Sequence, residues 1–117
     1  MADDVRSLTA ALARDPSSLA YAELAESLRR RGQRDEALRV ALHGLARHPR
    51  HADGHDVLAR IYAKSGDLDH ALAYLRKAME DGYKEIDSVY QDQEFAALRK
   101  DPRFAELMSS KPAVIPQ

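Results

Sequence analysis

A period of 34 residues in the middle of the chain constrains the fold more than any other sequence feature. When the sequence is shifted by 34 positions, identical residues coincide repeatedly: Leu24 with Leu58, Ala25 with Ala59, Gly32 with Gly66, Asp35 with Asp69, Ala37 with Ala71 and Leu38 with Leu72. A fixed period of this size is typical of solenoid proteins, in which one helix–turn–helix unit is stacked on the next. The sequence therefore predicts an all-α protein built from two such units.

The matching residues are those that a helix–turn–helix unit needs. Leu24 and Leu28 are four positions apart, so they share one face of a first helix. Glycine tolerates the left-handed backbone conformation with which many helices end, and Gly32 and Gly66 stand where such a turn is required. We predict helices over about residues 19–31, 35–47, 52–64 and 68–81.

At these positions the chain resembles the tetratricopeptide repeat family, in a small bacterial form. The first copy carries the family's pattern at Tyr21, Leu24, Ala25, Leu28, Gly32, Ala37, Ala41, Gly44 and Pro49. The second copy carries it at His55, Leu58, Ala59, Tyr62, Gly66, Ala71, Leu75 and Ala78. The departures include His55 in place of an aromatic residue and Tyr83 in place of the closing proline. The resemblance implies a right-handed α–α superhelix with a concave groove that binds peptides.

The segments that flank the repeats are predicted to cap a single domain, residues 1–108. Residues 3–15 echo the second helix of a repeat, and a solenoid needs such a helix with one polar face at its end. Repeat one is placed at residues 18–51 and repeat two at 52–85. Residues 86–108 carry apolar residues at helical spacing and resemble the segment that closes some bacterial proteins of the family. Residues 109–117 are predicted to be a flexible tail.

Composition excludes several classes of function. The net charge is −1, from 18 Lys and Arg against 19 Asp and Glu, which argues against a general nucleic-acid surface. Cysteine is absent, so disulfides and thiolate metal sites are excluded. The acidic start lacks the features of a signal peptide, and no apolar stretch is long enough to span a bilayer. A cytoplasmic protein without membrane insertion is expected.

Neither a metal site nor a catalytic site is predicted. His48, His51 and His55 are close in sequence, but they are expected to form the inter-repeat turn and a packing position. The chain lacks a phosphate-binding glycine motif, and its carboxylates at helix starts are explained by the helix dipole. We therefore predict a protein that is not an enzyme and needs no cofactor.

The candidate binding surface is the stripe of each first helix that faces away from the packing side. At about 100° per residue, this stripe contains Leu19, Ala22, Glu26, Arg29 and Arg30 in repeat one, and Asp53, Asp56, Arg60, Ala63 and Lys64 in repeat two. The resemblance implies that it lines the peptide groove, although solvated surface charges would give the same pattern. The family's clamp for C-terminal carboxylates needs Lys and Asn where this chain has Ala22, Glu26 and Val57.

The predicted function is protein–protein interaction by a monomer. The cations Arg29, Arg30, Arg60 and Lys64 fall late in their helices and are expected to cluster across the groove, which favours a partner peptide with acidic residues. The alternative is a module that joins copies of the chain to each other.

Overall fold

The computed structural model describes residues 5–109, and within that range the chain is built from α-helices and two 3₁₀ turns without β-strands. The helices are α1 (Val5–Arg14), α2 (Ala20–Arg30), α3 (Arg34–Arg47), α4 (Ala52–Ser65), α5 (Leu68–Glu80), α6 (Ala96–Arg99) and α7 (Pro102–Ser109). The 3₁₀ turns, Ile86–Tyr90 and Gln93–Phe95, precede α6. The predicted all-α repeat fold is confirmed.

Two of the helices begin with a hydrogen bond from a side-chain cap. The Ser18 hydroxyl accepts a hydrogen bond from the Ala20 amide at 3.1 Å, which satisfies a free donor at the start of α2. Asp67 caps α5 in the same way by accepting from the His70 amide at 3.2 Å. Gln33, at the corresponding position before α3, makes no such bond.

Both helix–turn–helix turns use one backbone pattern. Gly32 and Gly66 have φ values of 82° and 88°, in the left-handed region that disfavours side chains with a Cβ. The amide after each glycine then bonds to the carbonyl five residues earlier, from Gln33 and Asp67, at 2.9 Å in both cases. This bond satisfies an otherwise free carbonyl at the end of the first helix.

The two helix pairs stack so that their first helices are neighbours. Helix α2 packs against α3 and α4 packs against α5, and α4 also contacts α2 and α3. Ala25 and Ala59 are fully buried, as expected for small residues at close helix contacts. Helix α1 covers the open side of α2 with a partly buried stripe of Val5, Leu8 and Leu12.

The C-terminal segment closes the other end of the stack. Its buried apolar side chains form one core with α4 and α5: Val89, Phe95, Leu98, Phe104, Leu107 and Met108. These side chains therefore cover the apolar face of repeat two. Ser109 belongs to α7 and not to a loose tail, while the rest of the predicted tail and residues 1–4 lie outside the described range. No helix between residues 5 and 109 combines the length and the apolarity needed to cross a membrane.

Candidate partner-binding groove

A groove with a volume of about 1160 Å³ runs between α2, α4 and the segment 81–94. It forms because α2 and α4 lie side by side, so their outward stripes become one surface. The C-terminal segment then supplies its remaining wall. We call this depression the groove.

Eight of the ten stripe residues line the groove: Leu19, Ala22, Glu26, Arg29, Arg30, Asp53, Asp56 and Arg60. Ala63 is buried in the core and does not line it. Lys64 does not line it and lies exposed further along α4. Ala22, Asp56 and Arg60 are at most 8% exposed, so they form the floor of the groove and not its rim. Whether any of these residues binds a partner stays a prediction.

Arg29 is ion-paired on both sides. Its guanidinium contacts Glu26, one turn earlier on α2, at 2.5 Å and Glu94 of the C-terminal segment at 3.2 Å. Burial lowers the pKa of Arg29, but the two carboxylates outweigh this effect and the net shift is upward. Glu26 also pairs with Arg30 at 2.9 Å.

Arg60 is the most heavily paired side chain of the floor. It contacts Asp56 at 2.8 Å, Asp92 at 2.7 Å and Glu94 at 3.3 Å. Its guanidinium carbon also lies 4.9 Å from the centre of the Phe95 ring, within the range of a cation–π contact. Burial lowers the pKa of Arg60, yet Asp56 and Asp92 raise it well above its ordinary value.

These pairs correct the predicted cation cluster. Arg29, Arg30 and Arg60 meet carboxylates of the same chain, and Lys64 lies away from the groove. The expectation of an acidic partner rested on four uncompensated cations, and that premise is wrong. The pairs with Glu26 and Asp56 have helical i,i+3 and i,i+4 spacing and could have been found from the sequence, whereas Asp92 and Glu94 belong to the non-periodic C-terminal segment.

Asp56 has one satisfied carboxylate oxygen and one that is not. Oδ2 accepts a bond from Arg60, whereas Oδ1 is buried and accepts no hydrogen bond within the described residues. The Tyr83 side chain lies close enough to interact with the carboxylate, without a hydrogen bond of standard geometry. Burial raises the pKa of Asp56, and Arg60 only partly offsets this effect.

The lining of the groove is acidic overall. Eight lining residues are carboxylates: Glu23, Glu26, Asp53, Asp56, Asp81, Glu85, Asp92 and Glu94. Five are cationic: Arg29, Arg30, Arg50, Arg60 and Lys84. Glu23, Asp53 and Glu85 are exposed and form no ion pair with the described part of the chain. The groove therefore has excess negative charge.

The three clustered histidines lie at the junction of the repeats. The Tyr21 hydroxyl and His51 Nδ1 are 2.7 Å apart, and His48 stacks on the Tyr21 ring. His55 is 5% exposed, and its Nε2 lies 2.9 Å from the Pro49 carbonyl. Among residues 5–109, no three His, Cys, Asp or Glu side chains are grouped so as to hold a metal ion.

Several lining residues were not found from the sequence. Ser88, Asp92 and Glu94 come from a segment without a repeat register that would assign a face to them, and Tyr83 stands at the end of repeat two, beyond its second helix. The segment is held in place by Arg99, which donates hydrogen bonds to the carbonyls of Val89 at 2.7 Å and Asp92 at 2.8 Å. Glu23 lies on α2 between predicted groove positions and could have been included from helical spacing.

Comparison with protein families agrees with the geometry. A family model described as Tetratricopeptide repeat matches residues 20–53 and again residues 55–106. Together the two matches cover most of the chain, and the second one spans nearly all of repeat two and most of the C-terminal segment. No curated protein matches the chain.

Proposed function

The chain belongs to the tetratricopeptide repeat family, whose repeats are generally protein–protein interaction modules, and from this premise we propose that its groove binds a segment of another protein. The observation that carries the proposal is the groove itself, because it joins the outward stripes of α2 and α4 into one surface. A groove of this size accommodates an extended or helical peptide. The function is binding and not catalysis, and the expected location remains the cytoplasm.

Steric blockade of the groove tests this proposal without changing its charges. Leu19 is 53% exposed at the edge of the groove, and Leu42 is 41% exposed on α3 outside it, so the two form a matched pair. Because the chain has no cysteine, Leu19→Cys and Leu42→Cys can each be labelled at one site with a polyethylene glycol maleimide. Each labelled protein is then used to capture partners from a native lysate, beside its unlabelled form.

The label at position 19 should abolish capture, and the label at position 42 should leave it intact. Loss of capture with the second label alone would move the binding surface away from the groove. Capture that survives both labels would contradict the proposal as well.

Self-assembly is the second candidate function. It differs from partner binding in the oligomeric state of the pure protein, because a module that joins copies of the chain forms an ordered oligomer at working concentration. Light scattering on the pure protein separates the two candidates: the partner-binding proposal expects a monomer.

A further inference from the structure

We propose that the segment bound in the groove is anchored by a cationic side chain, lysine or arginine, beside an apolar one. This inference rests on the proposed function and adds the chemistry of the partner. Two independent features of the groove support it: an excess of unpaired carboxylates, and a buried carboxylate oxygen that accepts no hydrogen bond.

The first feature is the distribution of paired and unpaired charges. The cations Arg29, Arg30 and Arg60 are all committed to carboxylates of the same chain. Glu23 and Asp53, in contrast, are exposed on α2 and α4 and have no cationic partner within residues 5–109. Within the described residues, three exposed carboxylates of the groove have no ion pair, Glu23, Asp53 and Glu85, against one such cation, Lys84. A cationic ligand therefore meets more unpaired opposite charge than an acidic one.

An acidic segment would have to replace Asp92 or Glu94 to reach Arg29 or Arg60. Those carboxylates are held in place, because the adjacent Phe95 is fully buried in the core. The loop that carries them is also fixed by the hydrogen bonds from Arg99. Displacing it would expose the Phe95 ring, so the observations favour a cationic ligand.

The second feature is Asp56 on the groove floor. It is 5% exposed, and its Oδ1 atom accepts no hydrogen bond within the described chain. A buried acceptor without a donor is destabilising, so such atoms normally have a partner. An ammonium or guanidinium group that enters beside Tyr83 would supply Oδ1 with a donor of standard geometry and a second positive charge besides that of Arg60.

The apolar part of the ligand follows from the repeat. Leu19 and Asp53 occupy corresponding positions of the two repeats, so they lie on adjacent helices at the same level of the groove. Leu19 is one of the most exposed large apolar side chains among residues 5–109. A peptide with a leucine that packs against Leu19 and a neighbouring lysine that lies between Asp53 and Asp56 would match the apolar and the acidic part of the groove.

The experiment compares peptides of opposite charge. Fluorescein-labelled peptides with three copies of Ala-Leu-Lys-Ala or of Ala-Leu-Glu-Ala are titrated with the full chain, and anisotropy gives each Kd. We expect the lysine peptide to bind about tenfold or more tightly than the glutamate peptide, with an affinity that falls as salt rises. Equal affinity, or preference for the glutamate peptide, would overturn the inference.

Charge reversal locates the effect. The double variant Glu23→Lys, Asp53→Lys should weaken the lysine peptide by about tenfold. Its matched control reverses two exposed carboxylates outside the groove, Glu80→Lys and Glu106→Lys, and should bind as wild type. An equal loss in both variants would show attraction to net charge alone, which contradicts the inference.

Asp56 gives a readout specific to the floor. The ¹³C shift of its carboxyl carbon is followed against pH with and without the lysine peptide. An added cation should lower the pKa of Asp56, and an unchanged titration would remove Asp56 from the ligand's surroundings. Blockade by the label at position 19 without any preference for lysine peptides would uphold the proposed function and reject this inference.

Discussion

Arg29 and Glu94 are 65 residues apart in the sequence, and their side chains meet at 3.2 Å across the groove. Glu94 also reaches Arg60, so one carboxylate connects the first helices of both repeats to the C-terminal segment. The contact makes that segment a structural wall of the groove as well as a cover for the core. The shared carboxylate also offsets the repulsion between these two arginines of adjacent helices.

Replacing Glu94 with glutamine should destabilise the fold in a pH-dependent way. The pKa of Glu94 is lowered: burial raises it, but a backbone hydrogen bond and the two arginines outweigh that effect. A lowered pKa in the folded state stabilises the protein above the ordinary value of 4.5, and this contribution is lost as the pH falls. We expect Glu94→Gln to lower the free energy of unfolding by about 1–2 kcal/mol at neutral pH.

Urea denaturation at several pH values checks this expectation. The difference between wild type and variant should shrink below the ordinary pKa of a glutamate. Glu36→Gln, which breaks the exposed pair with Arg39, is the matched control and should leave the stability close to that of wild type. A constant difference across the pH range would show that Glu94 does not act through its charge.

Truncating Phe95 to alanine should be among the most damaging changes in the C-terminal segment. The ring is fully buried and lies beneath the Arg60 guanidinium, so its loss creates a cavity and removes a cation–π contact. The expected loss is about 3–5 kcal/mol. Tyr90, in the same segment, is 49% exposed, and Tyr90→Ala should lose less than about 1 kcal/mol. Similar melting temperatures for the two variants would contradict the packing described here.

The periodic part of the fold was predictable because its physics is local. The spacing of Leu24 and Leu28 determines a helix face, and Gly32 determines where the helix ends. A helix cap is equally local: the Asp67 carboxylate accepts a hydrogen bond from the His70 amide at the start of α5. Helical spacing also determines which residues share a face, and most of the residues assigned to the stripe line the same groove in the structure.

The electrostatics of the groove were not predictable by the same means. The partners of Arg60 include Asp92 and Glu94, which lie in a segment where no period specifies direction. Burial was missed for a related reason: the stripe of α4 was expected to face solvent, but the C-terminal wall covers Asp56 and Arg60. The position of a residue in a helix determines the side on which it lies, whereas its exposure depends on which other segment packs against that side.

The junction of the repeats should make stability sensitive to mild acid. Burial lowers the pKa of His51 below 6.5, and the neighbouring His48 and His55 act in the same direction, whereas Asp53 opposes them. A histidine with a lowered pKa takes up protons more readily in the unfolded state, so stability is lost as the pH falls through this range. In the tautomer whose proton is on Nε2, Nδ1 accepts from the Tyr21 hydroxyl, and protonation of Nδ1 removes that acceptor.

His51→Gln isolates this effect, because glutamine offers an oxygen acceptor to Tyr21 and does not titrate. Between about pH 7.5 and 5.5, the unfolding free energy of this variant should fall less steeply than that of wild type. His43→Gln changes an exposed histidine of α3 and should keep the wild-type slope. The assignment to His51 fails if its variant keeps that slope too.

The Tyr21 side chain contacts two helical glycines through different atoms, so their Gly→Ala variants should respond differently to loss of its hydroxyl. A Cβ added at Gly54 would lie 2.1 Å from the Tyr21 hydroxyl oxygen and 3.0 Å from the ring carbon that carries it. A Cβ added at Gly44 would lie 2.1 Å from ring carbons at the other end of the side chain. Either Gly→Ala change should therefore destabilise by about 1–3 kcal/mol, although alanine favours a helix by about 1 kcal/mol.

Removing only the Tyr21 hydroxyl should separate the two sites. In a Tyr21→Phe background, Gly54→Ala loses its closest contact, and the remaining close atoms are the ring carbon and a flexible end of Leu45 at 2.9 Å. Gly44→Ala still meets the ring itself, so its effect should stay the same. Urea denaturation is used to measure two double-mutant cycles, which combine Tyr21→Phe with Gly54→Ala or with Gly44→Ala. We expect a coupling energy in the Gly54 cycle and none in the Gly44 cycle. Equal coupling at both glycines would mean that the ring shifts as a whole, because a hydroxyl-specific contact relieves only the site it touches.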